Sequence, residues 1–438
     1  MSRVGVDLPN IRRVWPFGAR PLRPGEGLTE AGRRETRRIQ ANLLAMPSPR
    51  LVALLLLAAL VATGCGREIR ADDSQPPALL GPRDQARSNL GFPELATKNT
   101  TRVPSSNATQ IAAAVVRAVF PHPARKPDAV TLVDSGDWRV AVAASALMAA
   151  PFNAPMLFTD GTDVPSSTRS ALDALAPAGS AAAGNAQVIR IGNAAKPPRL
   201  KSTDVAAGTA LGLTRSIAGL IRAANRGKSI RVIVTSADDP SFAAPAAAYA
   251  AKSGDPVLFV TRNAVPPETR AALAALAGLA RPRIYVLGPS KVIGPKVTRE
   301  LRRLGRVKRV GGQDPVTNAI GMARYRDGAF GWGIADPGHG LVLARAGRPL
   351  AAAAAAPLSG AGTFGPLLLL DDSERVPQAL QQYLLDIQPG YQEDPVRGVY
   401  NHGWVIGTRD AVSVAQQARI DALLEIVPVR SPDAPPLP

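Results

Sequence analysis

The chain has 438 residues, 46% of them hydrophobic, and carries 52 Lys and Arg against 34 Asp and Glu, a formal charge of +18. A single cysteine excludes an internal disulfide framework, so the folded part must bury a sufficient core of its own. Aromatic residues make up only 4%, too few for a base-stacking surface, so nucleic acid is not expected as a partner. The positive charge points instead to anionic polysaccharides, teichoic-type polymers or lipid headgroups.

The N-terminal region reads as targeting sequence. Arg50 precedes an unbroken apolar and small-residue run from Leu51 to Thr63, too short to span a bilayer, and Ala62-Thr63-Gly64 leads into Cys65. This pattern resembles the lipobox of bacterial lipoproteins, with Ala62 where Leu is usual, and it implies that Cys65 is lipidated. Residues 46–64 are then the signal peptide, Met46 the start, and residues 1–45 an extension upstream of it. Residues 1–64 hold ten arginines and four acids, leaving +12 beyond them. Residues 65–97 are polar and punctuated by Pro76, Pro77 and Pro82, and read as a tether.

Beyond the tether the pattern alternates between short apolar runs and Ala-rich helical stretches. Expected in order are a helix over 107–119 capped by Asn107, a strand over 129–133 and a helix over 139–150. A strand over 156–158, a helix to Leu175 with Pro165 near its first turn, and a strand over 187–191 follow. The same order returns as a long helix from Asp204 to Asn225, then strand 230–235, helix 242–252, strand 257–260, helix 267–276 and strand 284–287. Alternation of this kind implies an α/β fold of Rossmann-like or flavodoxin-like units with largely parallel sheets.

One phrase recurs three times. An Ala-rich helix runs into a proline-led apolar strand at Pro155, Pro256 and Pro366, a Val-Pro pair opens the next helix, and each copy closes on an apolar strand ending at Gly192, Gly288 or Gly407. The strand prolines are 101 and 110 residues apart, too long for a solenoid and suited to tandem small domains. The repeats are placed at 98–200, 201–305 and 306–428, with a Pro-rich tail over 429–438.

These phrases, with the Arg309-Val310-Gly311-Gly312 lead-in and a weaker version at Arg102, resemble the type 2 cell-wall-binding repeat family. The resemblance spans about residues 98–428. It implies three α/β modules around a pseudo-threefold axis that attach a secreted protein non-covalently to anionic wall polymer. The sequence departs from the family pattern at Trp138-Arg139, Ser241-Phe242 and Arg348-Pro349 in the helix openings, and at Pro315-Val316 in the lead-in, which puts polymer specificity rather than fold in doubt.

Catalytic chemistry is sparse. His122, His339 and His402 show no metal-ligand spacing, and no nucleophile elbow, phosphate loop or zinc-protease helix occurs, so no cofactor or metal is expected. The acids at Asp160, Asp163, Asp371, Asp372 and Glu374 follow second strands and read as turns or helix caps. The positive feature is a basic run: Lys291, Lys296, Arg299, Arg302, Arg303, Arg306, Lys308 and Arg309. On a helix, 299, 302, 303 and 306 would share one face and could hold phosphate or carboxylate. In the third repeat, Tyr391, Tyr400 and Trp404 could stack on sugar rings or cover the sheet edge.

The expectation is a non-catalytic surface lipoprotein that binds anionic cell-wall polymer through three repeats. It would be lipid-anchored on the outer face of the cytoplasmic membrane, in or near the wall. The alternative is a lipid-anchored solute-binding protein with a small-molecule site at the strand ends.

Overall fold

The computed structural model describes residues 95–429 except 123, 227–230 and 278–279. The signal-like run, Cys65 and nearly all of the tether lie outside the described residues. Among those described, no helix is long and apolar enough to cross a membrane.

In chain order the elements begin with β1 (Leu95–Ala96), β2 (Thr100–Val103), α1 (Ala108–Val119), β3 (Val130–Asp134), α2 (Trp138–Ala144), β4 (Met156–Thr159), α3 (Ser166–Leu175), β5 (Val188–Ile191) and β6 (Ser202–Val205). The second round is α4 (Ala210–Ala224), β7 (Arg231–Ser236), α5 (Pro240–Ser253), β8 (Val257–Val260), α6 (Pro267–Ala277), β9 (Arg283–Leu287), α7 (Pro295–Leu304) and β10 (Arg306–Val310). The third is α8 (Pro315–Arg324), β11 (Gly340–Arg345), α9 (Pro349–Pro357), β12 (Leu367–Leu370), α10 (Gln378–Asp386), β13 (Gly390–Tyr391), β14 (His402–Ile406), α11 (Val414–Leu424) and β15 (Val427–Pro428). The α/β repeat pattern read from the sequence is present. Asn107 caps α1 as expected, its side chain accepting from the amides of Thr109 and Gln110.

Three sheets share one plan. Their strand orders are β4-β3-β5-β6, β8-β7-β9-β10 and β12-β11-β14-β2, all parallel, with β1 added antiparallel outside β2. Both faces of such a sheet are buried, which explains the continuous apolar runs. In the second sheet, Val232, Val234, Leu258, Val260, Ile284 and Val286 face an outer cluster with Leu273, Val297 and Leu301. Alternate residues Ile233, Val257, Phe259, Tyr285 and Leu287 face inward and join the main core.

The Ala runs sit where the three repeats meet. Helices α2, α5 and α9 pack against one another, and Ala141, Ala143, Ala246, Ala247, Ala353 and Ala354 have no exposed surface. Small side chains let these helices approach closely at the axis. Gly360, just past α9, shows how closely: a Cβ there would lie 2.7 Å from both the Ala251 carbonyl oxygen and Met148 Cγ.

The connections differ from the sequence reading in one respect. The fourth strand of each sheet is the lead-in of the next repeat, while the helix after that strand packs on the next repeat. Thus β6 closes the first sheet and α4 packs on α6 and β8, whereas β10 closes the second sheet and α8 packs on β12 and α10. The third sheet has no later lead-in and takes β2, from the start of the described chain, paired with β14 over Thr100–Val103. Sheet limits therefore cross the sequence limits at 200/201 and 305/306. Asp204, expected to open a long helix, lies on β6 because Val205 pairs with Ile191 and the helix starts only after Thr209. Leu95–Ala96, assigned to the tether, is strand β1.

Candidate functional site

The lead-in arginines are structural. The Arg102 side chain has no exposed surface and donates from Nε to Gln417 Oε1 (2.8 Å) and from Nη1 to the Gly407 and Thr408 carbonyls (2.9 and 3.1 Å). Burial, and then the nearby Arg409, push its pKa down to about 10. Arg309 repeats this in the second sheet, donating to the Gly288 and Ile293 carbonyls and to Thr298 Oγ1 (2.7 Å). The first sheet exchanges the arrangement across one pair of strands. There Arg190 on β5 donates to the Ala194 carbonyl (2.9 Å) and pairs with Asp204 on β6 (2.8 Å).

Of the basic run, only part forms one helical face. Lys296, Arg299, Arg302 and Arg303 lie exposed on α7, whose buried side holds Val297 and Leu301. The helix ends at Leu304, and Arg306, Lys308 and Arg309 belong to β10, so the expected helical register from 299 to 306 does not exist. Gly305 stands at the break in extended backbone, where a Cβ would meet the Pro282 carbonyl oxygen and Ile284 Cδ1 at 2.6 Å. Arg309 spends its guanidinium on the strand-end loop, so that on β10 Arg306 and Lys308 are the basic residues of the run with side chains free of that loop.

Those two border a cleft of about 280 Å³ lined by Arg283, Tyr285, Arg306, Val307, Lys308 and Asp327. Arg231, Arg283 and Arg306 are the first residues of three adjacent parallel strands, with Arg283 the Cα partner of both others, so their side chains leave one face of the sheet. Lys308 and Tyr285 are the next paired residues on that face. Arg231 is neutralised by Asp255 (3.1 Å), and Lys308 pairs with Asp327 (2.7 Å), which also accepts from the Tyr285 hydroxyl (2.8 Å). Among the described residues, no carboxylate lies within ion-pair distance of Arg283 or Arg306. The Lys308 and Tyr285 hydrogen bonds hold the Asp327 carboxyl below its usual range, while burial pushes Asp255 up to about 6 against the pull of Arg231. Arg231, Arg283, Tyr285 and Asp327 were not singled out in the sequence. The available signal was an arginine just ahead of two of the second repeat's apolar runs, at Arg231 and Arg283, while Arg306 opens a strand that no local pattern marked.

Two further clefts sit at the carboxyl ends of the first sheet. One, about 390 Å³, is lined by Asn107, Gln110, Ser135, Asp160, Ser166 and Leu350. The other, about 280 Å³, is lined by Asp134, Asp137, Gly192, Asn193 and Thr209 among others. Asp160 thus lines a cleft, while the Asp372 carboxylate is held low by the Glu374 and Arg375 amides in its own turn.

The aromatic insertion does not form one surface. Trp404 is a half-buried residue of β14, with its ring centroid 5.9 Å from that of His402, and Tyr391 lies on β13 paired to β15. Only Tyr400 is exposed, at 48%, beside Val396 and Val399, and its hydroxyl donates to the Pro395 carbonyl. The histidines stay apart: His402 meets Thr101 Oγ1 at 3.1 Å, His339 meets Asp336 at 3.1 Å, and His122 accepts from the Ala124 amide.

No family model matches the sequence, and no curated protein does. Solved structures do match in fold. Cwp6 from Clostridium difficile aligns with a TM-score of 0.58 at 16% identity, over 75% of this chain and 48% of that one. Cwp8 from Clostridium difficile aligns with a TM-score of 0.56 at 15% identity, over 75% of this chain and 52% of that one. The chain spans about half the length of the structures it matches, and at these identities the likeness is one of fold: three α/β repeats joined into one body.

Proposed function

We propose that this chain is a non-enzymatic surface protein that binds anionic cell-wall polymer through its three-repeat body. The observation that carries the reading is the fold held in common with Cwp6 and Cwp8, cell wall proteins of Clostridium difficile. Charge supports it: the net +12 beyond residue 64 includes an exposed basic face on α7 and the arginine row at the foot of the second sheet. Several weak contacts on one body gain avidity because each raises the effective concentration of the others. Cys65 is the proposed lipid attachment point, which would hold the body at the outer face of the cytoplasmic membrane. Sedimentation of the purified protein with isolated cell walls, before and after acid stripping of anionic polymers and at low and high salt, tests the reading. Binding lost on stripping and weakened by salt is expected. Equal sedimentation with stripped and intact walls, or none with either, would remove the polymer from the account.

A solute-binding role is the second reading, favoured by the 390 Å³ cleft at the strand ends with its polar Asn107, Gln110, Ser135 and Asp160 lining. A melting temperature that rises with a small wall-derived sugar but not with polymer would support it.

A further inference from the structure

We propose that the face of the second sheet carrying Arg231, Arg283 and Arg306, with Lys308 beside them, is a binding site for a phosphate group. For the bearer of that phosphate, the proposal rests on the polymer-binding reading above.

The argument starts from an electrostatic mismatch. Adjacent parallel strands lie about 4.8 Å apart, so three guanidinium groups issue side by side from one face. Like charges directly opposite on neighbouring strands destabilise a sheet. The protein supplies two carboxylates to this group of four cations, Asp255 to Arg231 and Asp327 to Lys308. Arg283 and Arg306 remain paired with each other across β9 and β10, exposed, and open to the cleft of about 280 Å³. The local balance is two positive charges, which suits a phosphate monoester of charge about −1.5 to −2, such as a terminal or pendant phosphate of the polymer, better than a single carboxylate. Two planar guanidiniums present forked N–H donors to tetrahedral oxygens, and the Lys308 ammonium adds a point charge.

The other two repeats act as internal controls. Counting back five residues from the closing glycines Gly192, Gly288 and Gly407 gives Gln187, Arg283 and His402. The position of Arg306 is taken by Lys201 in the first sheet and Asn99 in the third, and that of Arg231 by Ala129 and Gly340. The position of Lys308 is taken by Thr203 and Thr101. The fold therefore does not need the arginine row. One repeat of three has acquired it, at a cost in sheet stability, on a face with room for a ligand.

The test follows thermal unfolding of the purified full chain in inorganic phosphate, acetate and chloride at equal ionic strength. Phosphate is expected to raise the melting temperature of the wild type above that in acetate or chloride. The double variant Arg283→Gln with Arg306→Gln, chosen after the glutamine that the first repeat carries, is expected to melt no lower in chloride, because the like-charge pair is gone. Its apparent phosphate affinity should fall by about tenfold or more. A control variant, Arg215→Gln with Arg222→Gln on α4 and Arg419→Gln on α11, removes more charge from exposed positions elsewhere and should keep the phosphate response. The proposal is overturned if acetate stabilises as much as phosphate, if the double variant responds like wild type, or if the control variant loses the response equally. Wall sedimentation separates the two readings. A phosphate response without wall binding keeps the site and ends the polymer reading, and wall binding without a phosphate response does the reverse.

Discussion

Replacing Arg102 by Leu tests whether the ring of repeats is held shut by its first strand. The guanidinium makes three hydrogen bonds of 3.1 Å or less to Gln417, Gly407 and Thr408, from a position with no exposed surface. A hydrogen bond from a charged donor is worth about 1.5 kcal/mol net, so the three together contribute about 4 kcal/mol. Burial of the charge opposes this. The depression of the Arg102 pKa from 12.5 to about 10 corresponds to about 3 kcal/mol, which the leucine no longer incurs. That relief is offset in turn because the Gly407 and Thr408 carbonyls lose their donor, at about 1–3 kcal/mol each. The expected net loss is about 3–7 kcal/mol in urea-induced unfolding followed by circular dichroism. Arg102→Lys should recover only part of it, since one ammonium cannot reach all three acceptors. A leucine variant within about 0.5 kcal/mol of wild type would refute the reasoning and make the buried arginine dispensable.

Ala353→Leu, at the contact of α9 with α5, should destabilise by about 1–3 kcal/mol through overpacking, read as a lowered denaturation midpoint; an unchanged midpoint would mean that the axis has room. The pKa of Asp255 is raised by burial to about 6, so the stability it contributes is present below about pH 4 and lost as pH rises through 6; Asp255→Asn should flatten that part of the profile. His402 runs the other way: burial lowers its pKa, so stability present above about pH 6.5 is lost as pH falls, and His402→Gln should remove that slope. Arg299→Ala with Arg302→Ala and Arg303→Ala should weaken wall sedimentation at low salt, while binding equal to wild type would mark the α7 face as merely solvated.

The Ala-rich helices and the apolar strands were legible because both report burial on all sides, and burial leaves a compositional trace such as Ala351–Ala356 or Leu367–Leu370. The lead-in strands were not. Ser202–Val205 and Arg306–Val310 are edge strands with polar, partly exposed residues, and their pairing partners belong to the preceding repeat, so no local period announces them. The same blindness shaped the basic run. Spacing alone placed 299 to 306 on one helical face, whereas Gly305 and the strand after it divide those charges between a solvated helix, a structural arginine and a cleft. The arginine row is a long-range object. Its members are 52 and 23 residues apart in sequence and meet only through strand register.

Because β2 completes the last sheet, the two ends of the described chain lie together. Lys98 pairs with Glu425, and Asn99 donates from its backbone to Asp421 (2.8 Å) and from its side chain to Glu425 (2.8 Å). A polypeptide with this closure has no privileged first residue. A circular permutant, joined by a short linker from Val429 to Leu95 and opened in the loop over 193–201, would begin with β6 and still supply every sheet with its fourth strand. Cutting instead to one or two repeats leaves an unpaired edge and an arginine cradle without its arginine, so the body is expected to tolerate relocation of its termini far better than removal of a repeat.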